Sequence, residues 1–279
     1  MPDFETPEPI SVTVEFDVGS VRITASKRTD TVVEVVPSDS TEEADVRAAQ
    51  QTKVSLTGGR LLVKGVRKRS LFGRSGSVDV TIGLPAGSDV QGTSAVGDFA
   101  CEGVFGHCRL KTSVGHIQVE EASTAHLRTG HGDIRVERVE GETEAIGAGR
   151  IDIGRIGGTA VVKNGNGETT IGEVAGDLRV NASNGRISVD AVQAGIDAKS
   201  ANGDIRVGEV VRGQAELQTA AGEVEIGIRR STTAWLDVNT KLGKVRNSLD
   251  PSDGPGSSDE TVKVRARTGI GDIVIRRSS

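Results

Sequence analysis

A glycine followed two and four residues later by branched apolar side chains recurs along nearly the whole chain, and few folds satisfy that pattern. From Gly97 the anchors run Gly97, Gly115, Gly132, Gly149, Gly167, Gly185, Gly203, Gly222, Gly243 and Gly271. The first seven intervals are 17 to 19 residues long, and the last two stretch to 21 and 28. Such a period is one coil of a β-solenoid, in which each turn buries its apolar face only against the next. The spacing predicts an all-β, β-helix-like solenoid of about 18-residue coils, and one elongated body.

The columns define the coil. Residues two and four after the anchor, such as Ile117 and Val119 or Ile205 and Val207, form a strand buried on one face by their period of two. A second strand precedes the anchor. Its inward residues are apolar five positions before the glycine (Leu110, Leu127, Val180). Three positions before it they are small or hydroxyl-bearing (Ser94, Thr112, Thr129, Asn164, Thr219), with Ile146 in the same column. A third inward position, seven after the anchor, holds Val104, Val139, Ile156, Val174, Val192 and Val210. Asn166-Gly167, Asn184-Gly185 and Asn202-Gly203 mark corners, since Asn and Gly best tolerate positive φ. One coil breaks the template by placing Glu142 and Glu144 inside. Burying two unpartnered carboxylates is too costly, so a one-residue shift is expected to turn Thr143 and Ala145 inward.

The template also fits Gly19 and Gly59, with extra strands expected at Thr31–Val36 and Val78–Leu84. Ser40-Thr41-Glu42-Glu43 is a capping box for a short helix over Thr41–Gln51. Residues 1–90 are accordingly expected to form an irregular N-terminal β cap, continuous with a solenoid over residues 91–279. A flexible insertion is expected at residues 248–260, and Thr261–Arg277 to close the stack with two strands.

Composition narrows the function classes. The chain of 279 residues holds 37 glycines, no tyrosine, one tryptophan and five phenylalanines, so the core is built from Val, Ile, Leu and Ala. A net charge of -5 with well-mixed signs argues against specific nucleic-acid binding. No apolar run reaches the ~20 residues that span a bilayer. The acidic, proline-rich start MPDFETPEPI resembles no secretory signal, so a cytoplasmic location is expected. Cys101 and Cys108 fall on inward positions as buried thiols. Glycine motifs such as Gly130-His131-Gly132 lack the helix that phosphate binding needs, and no cofactor is expected. No catalytic grouping is evident, so the chain is not expected to be an enzyme.

The run VDVTIGLPAGSDV (Val78–Val90), followed by TSVGHIQVEE, NASNGRISVD and SANGDIRVGEV, resembles the bacterial putative adhesin family of β-strand-repeat proteins, a domain of unknown function. The resemblance covers nearly the whole chain and implies a bacterial binding or scaffold protein. Bactofilin-like solenoids, which are built to polymerise, are a more distant comparison.

Two outward features stand beyond core requirements. The column after each anchor alternates in sign through Asp98, His116, Asp133, Arg150, Glu168, Arg186 and Asp204, as a ladder of ion pairs would. Asp98, His116 and Asp133 are also the nearest approach to a metal set, short of what zinc needs. A basic stripe, opposite an acidic edge of Glu102, Glu120, Glu173 and Glu209, runs through Lys111, Arg128, Lys163 and Lys199 with Arg109 and Arg179 beside it. This flat face is the expected contact for an unknown protein or anionic polymer, or for another copy of the chain. Arg67, Lys68, Arg69 and Phe72 form a second basic cluster in the cap. An enzyme acting on a polymer is the remaining alternative.

Overall fold

A computed structural model describes residues 2–65, 76–250 and 260–278. The chain divides into two compact units, Met1–Val139 and Glu140–Ser279. The first contains β1 (Asp3–Glu5), β2 (Ser11–Glu15), β3 (Val18–Ser26), β4 (Asp30–Pro37), helix α1 (Glu43–Gln51), β5 (Lys53–Thr57) and β6 (Arg60–Lys64). After them come β7 (Ser77–Pro85), β8 (Asp89–Val114), β9 (Ile117–His131) and β10 (Ile134–Val139). The second contains β11 (Thr143–Gly147), β12 (Ile151–Ile156), β13 (Ala160–Asn166), β14 (Thr169–Val174), β15 (Leu178–Asn184), β16 (Ile187–Val192), β17 (Ile196–Asn202) and β18 (Ile205–Val210). It ends with β19 (Gly213–Ala221), β20 (Val224–Ile228), β21 (Thr232–Leu242), β22 (Val245–Asn247), β23 (Glu260–Ile270) and β24 (Ile273–Arg277).

Both units are β-solenoid, because coil residues of like column lie in register. In the first unit Gly19 pairs with Gly97, Val21 with Phe99 and Ile23 with Cys101, and Phe99 in turn pairs with Ile117. The rings of Phe16 and Phe99 meet at 5.8 Å, the one aromatic contact among the described residues. On the far side of β2 lies the parallel strand β6, which is covered in turn by antiparallel β5. On the far side of β3, parallel β7 is covered by antiparallel β4, and β4 by β1. The expected extra strands are therefore β4 and β7. The division expected near residue 90 falls at the start of β8, which pairs with β2 and β3 and then with β9.

In the second unit the strands before the anchors stack in parallel as β11, β13, β15, β17 and β19, and those after them as β12, β14, β16, β18 and β20. Ile187, Ile205, Val224 and Ile273 fill one column and are fully buried. Each such side chain contributes about 1.5–3 kcal/mol relative to exposure.

The corners show why the anchor must be glycine. Gly185, Gly203 and Gly222 have φ of +118°, +147° and +149°, and a Cβ on any of them would overlap the carbonyl oxygen of the preceding anchor. The hydroxyl column serves the same corner: Thr129 Oγ1 donates to the Gly115 carbonyl at 2.8 Å and Thr219 Oγ1 to the Gly203 carbonyl at 2.9 Å. Asn164 takes that role in its coil, with Nδ2 donating to the Gly149 carbonyl at 2.9 Å. The corner asparagines do something other than adopt positive φ, which among the described residues only glycines do. Asn202 Nδ2 donates to Asn184 Oδ1 at 3.1 Å, a side-chain ladder between coils.

The expected shift at Glu142 is present: Thr143 and Ala145 are buried and pair with Ala160 and Val162, and Glu142 is exposed. It carries through the strand, so Gly147 takes the inward place and Ile146, expected inside, pairs with outward Lys163. Val104 is likewise displaced. A bulge after Cys101, with Gly103 at φ +97°, turns Phe105 inward and leaves Val104 46% exposed. Gly59 is no coil anchor. With Gly58 it makes the tight turn of the β5–β6 hairpin, both glycines having positive φ as a two-residue hairpin turn demands. The capping box is not used: the helix starts at Glu43 with no side-chain cap. Asp39 instead accepts from the Thr41 N–H and hydroxyl, at 2.8 and 2.7 Å, and Asp45 from the Ser77 N–H at 2.8 Å.

The largest departure from expectation is the threading of the last coils. Thr261–Arg277 does not close the stack. β23 lies between β19 and β21, and β24 between β20 and β22. The anchors repeat this order: a Cβ on Gly271 would overlap the carbonyl of Gly222, and one on Gly243 that of Gly271. Val262, Val264 and Ala266 are buried on both sides, whereas Leu236 and Val238 of β21 are half-buried. Asn247, expected inside, is exposed on the edge strand β22. Most of the insertion expected at residues 248–260 lies outside the described residues.

Candidate interaction surface

The second halves of β8 and β9 alternate strictly between core and solvent. Cys108, Leu110 and Thr112, with Ala125, Leu127 and Thr129, are buried, which drives the residues between them outward. In register, Arg109 lies beside His126 and Lys111 beside Arg128. Arg109, Lys111 and Arg128 are exposed, and their side chains make no hydrogen bond or ion pair with a described residue. His107, in the next row, hydrogen-bonds through Nδ1 with the Thr124 hydroxyl at 2.7 Å. Three full positive charges therefore sit close together on one sheet face of the first unit.

The corresponding face of the second unit behaves differently. Arg179 reaches Asp197 at 3.6 Å, and Lys199 lies 3.0 Å from Asp197 and 3.8 Å from Glu216. The hydrogen bond that the Lys199 ammonium donates to Asp197 holds it above its ordinary pKa. The column is also interrupted by Asn181 and Gln218, which pair with Lys199 from either side. Only Lys163 of the three stripe residues in this unit is exposed without an ionic partner among the described residues. Arg67, Lys68, Arg69 and Phe72 lie outside the described residues.

The column after the anchors is a ladder of local contacts. Asp98 accepts the His116 N–H at 2.7 Å, and His116 Nδ1 accepts the Asp133 N–H at 3.1 Å. Arg150 pairs with Glu168 at 3.8 Å and Arg186 with Asp204 at 3.4 Å. Among the described residues no three His, Cys, Asp or Glu side chains gather as a metal site requires. The acidic edge is similarly occupied. Glu120 accepts the Gly103 N–H at 2.6 Å, Glu173 binds Arg155 at 2.6 Å, and Glu209 binds Arg229 and the Ser278 hydroxyl, both at 2.7 Å. Cys101 and Cys108 are free and buried. Burial raises both thiols, Cys108 to about 12, so neither forms a thiolate nucleophile near neutral pH.

The repeat that builds these surfaces also decides kinship. The family model described as Toastrack DUF4097 matches residues 9–279. The chain belongs to that family. The glycine corners, buried columns and charged faces described above all lie within the matched residues. Among solved structures, a putative adhesin from Bacteroides fragilis is 12% identical over 98% of this chain and 95% of that one, with a TM-score of 0.37. A putative adhesin from Parabacteroides merdae is 13% identical over 99% and 94%, at 0.27. A putative lipid binding protein from Parabacteroides distasonis is 9% identical over 100% and 94%, at 0.31. No curated protein matches the chain. No helix among the described residues is long and apolar enough to cross a membrane.

One feature of this Toastrack chain escapes column reading. Beside the edge strand β21 a shallow cleft is lined by Gln214, Glu216, Trp235, Asp237, Lys263 and Arg265. The sole tryptophan is 59% exposed there. Its solitary occurrence and the 28-residue last interval were the available signals, but neither reveals that β23 inserts between β19 and β21.

Proposed function

We propose that the protein is a non-enzymatic β-solenoid that binds an anionic partner through the outward face of β8 and β9, with Arg109, Lys111 and Arg128 as contact residues. The observation that carries this reading is the lack of compensation at those three cations. Arg150, Arg155, Arg179, Arg186 and Lys199 are all ion-paired within the fold. Keeping like charges side by side opposes folding slightly, so an unneutralised cluster on a chain of net charge -5 is better suited to an external anion than to stability. The cluster lies on the exposed outward side of paired β-strands, which favours binding over catalysis. A cytoplasmic site of action is part of the proposal and is tested by fractionating the native cell.

The test is retention on an immobilised sulfated polymer as salt is raised. Replacing Arg109, Lys111 and Arg128 by Glu should move elution to much lower salt, with an unchanged melting curve because exposed charges contribute little to stability. The control replaces Lys163, Arg179 and Lys199 by Glu, an equal change in net charge. Equal loss of retention in both triple variants would show that overall charge, not this face, is read.

A further inference from the structure

The outermost coil of the second unit has a bare side. Among the described residues β21 and β22 each pair with one strand only, β23 and β24, and do so in parallel. Backbone groups along the 11-residue strand β21 that point away from β23 have no backbone partner among the described residues, and of them the Asp237 carbonyl accepts from Arg267 Nη1 at 2.8 Å. Apolar side chains there are incompletely covered: Leu236 and Val238 are half-buried, while Trp235, Leu242 and Val245 are 59%, 67% and 43% exposed. Edge strands of this length are usually protected by proline, bulges or repeated charge. β21 has no proline, and Asp237 and Lys241 are its only charges.

We propose that this edge is a homodimer interface, in which β21 pairs antiparallel with β21 of a second copy about a two-fold axis at Asn239. That register sets Asp237 against the partner's Lys241 twice over, half-buried Leu236 against the partner's exposed Leu242, and Val238 against the partner's Thr240, both half-buried on the inward face. Trp235 falls opposite the partner's Gly243, which leaves room for the indole. Opposite charges and apolar pairs directly across an antiparallel ladder are both stabilising, and a two-fold contact closes without leading to a fibre. Among the described residues β6 and β7 of the first unit are not open edges, since antiparallel neighbours already cover them. Residues 251–259, PSDGPGSSD, hold only Pro, Ser, Asp and Gly and supply no large apolar side chain to cover Leu236 and Val238.

Sedimentation velocity of the full chain from about 1 to about 100 μM should show a monomer–dimer equilibrium. Leu242→Lys, at a position already 67% exposed, should leave the protein monomeric with an unchanged circular-dichroism melt. Lys241→Asp, which sets like charges opposite each other, should raise the dimer dissociation constant about tenfold at low salt. Asn239→Cys should cross-link to its own copy under mild oxidation, whereas Gln218→Cys, two strands further in on the same row, should not. The native cysteines do not interfere, being buried. A wild type that stays monomeric throughout the range, or a dimer that Leu242→Lys does not weaken, would overturn the proposal. A monomer whose β21 amides are nonetheless protected from exchange would assign the edge to residues 251–259 and overturn it equally.

Discussion

In residues 2–139 the parallel strands β6 and β7 are covered by antiparallel β5 and β4, whereas in residues 140–278 the parallel strands β21 and β22 have nothing on one side among the described residues. The same coil chemistry thus meets its edge in two ways. These antiparallel neighbours, β5 adjacent in sequence and β4 distant, satisfy the outer backbone groups of β6 and β7 without a repeat partner, which is why Leu61 and Val63 stay buried in a strand flanked by β2 and β5. The parallel edge has no such neighbour, and the inward column loses its cover: Val264 is 2% exposed in β23, while Leu236, one strand further out, is half-buried. Burial in a solenoid is therefore a property of having two neighbours, not of the residue's place in the repeat.

The sharpest way to break this comparison is to place the same charge in both settings. Ile205→Asp sits between two coils and should cost several kcal/mol, enough to remove the cooperative melt of the second unit. Val238→Asp, in the same kind of column but at the edge strand of the monomeric Leu242→Lys protein, should cost less than half as much by chemical denaturation. Equal losses would mean that the edge is as covered as the interior.

A smaller contrast lies in the glycines. Gly203→Ala would combine a φ of +147° with overlap of its Cβ and the Gly185 carbonyl, and should destabilise by about 3 kcal/mol. Gly59→Ala has a positive φ of +71° but open space around the new methyl, and about 1 kcal/mol is expected. If the two losses match, close approach between coils is not what selects the anchors.

The smallest effect is in acid. Glu209 lies below its ordinary value of 4.5 because the Ser278 hydroxyl and then Arg229 stabilise the carboxylate. Its contribution is present above the unfolded value and is lost as pH falls through the lowered folded value. Melting temperatures of wild type and Glu209→Gln should therefore differ most near neutrality and converge as pH drops below about 4.5. A gap that widens in acid would reverse the assigned sign.

Much of the coil was legible because its signal is steric and repeats. Gly185 and Gly203, Ile187 and Ile205, and the shift that turns Thr143 and Ala145 inward all follow from period and burial. Val104 and Ile146 were misplaced because a single extra residue flips the facing of a strand, and the template holds no information on where the slack is taken up. Gly59 was misread because a hairpin glycine and a coil glycine have the same flanking pattern, and only the Gly58-Gly59 pair distinguishes them. The surface was harder. Arg109 and Arg179 occupy equivalent columns, but Asp197 neutralises one and nothing described neutralises the other, a difference set by neighbours 18 residues apart in sequence. The insertion of β23 between β19 and β21 was illegible, since either order satisfies the same columns.

That strand order is tested most directly by hydrogen exchange read by mass spectrometry on the Leu242→Lys protein. The structure predicts slow exchange for residues 260–270 and 213–221, which have strands on both sides, and fast exchange for residues 232–247. Fast exchange of residues 260–277 with slow exchange of residues 232–242 would mean that the C-terminal coil is the outermost one, and would contradict both the threading and the open edge built on it.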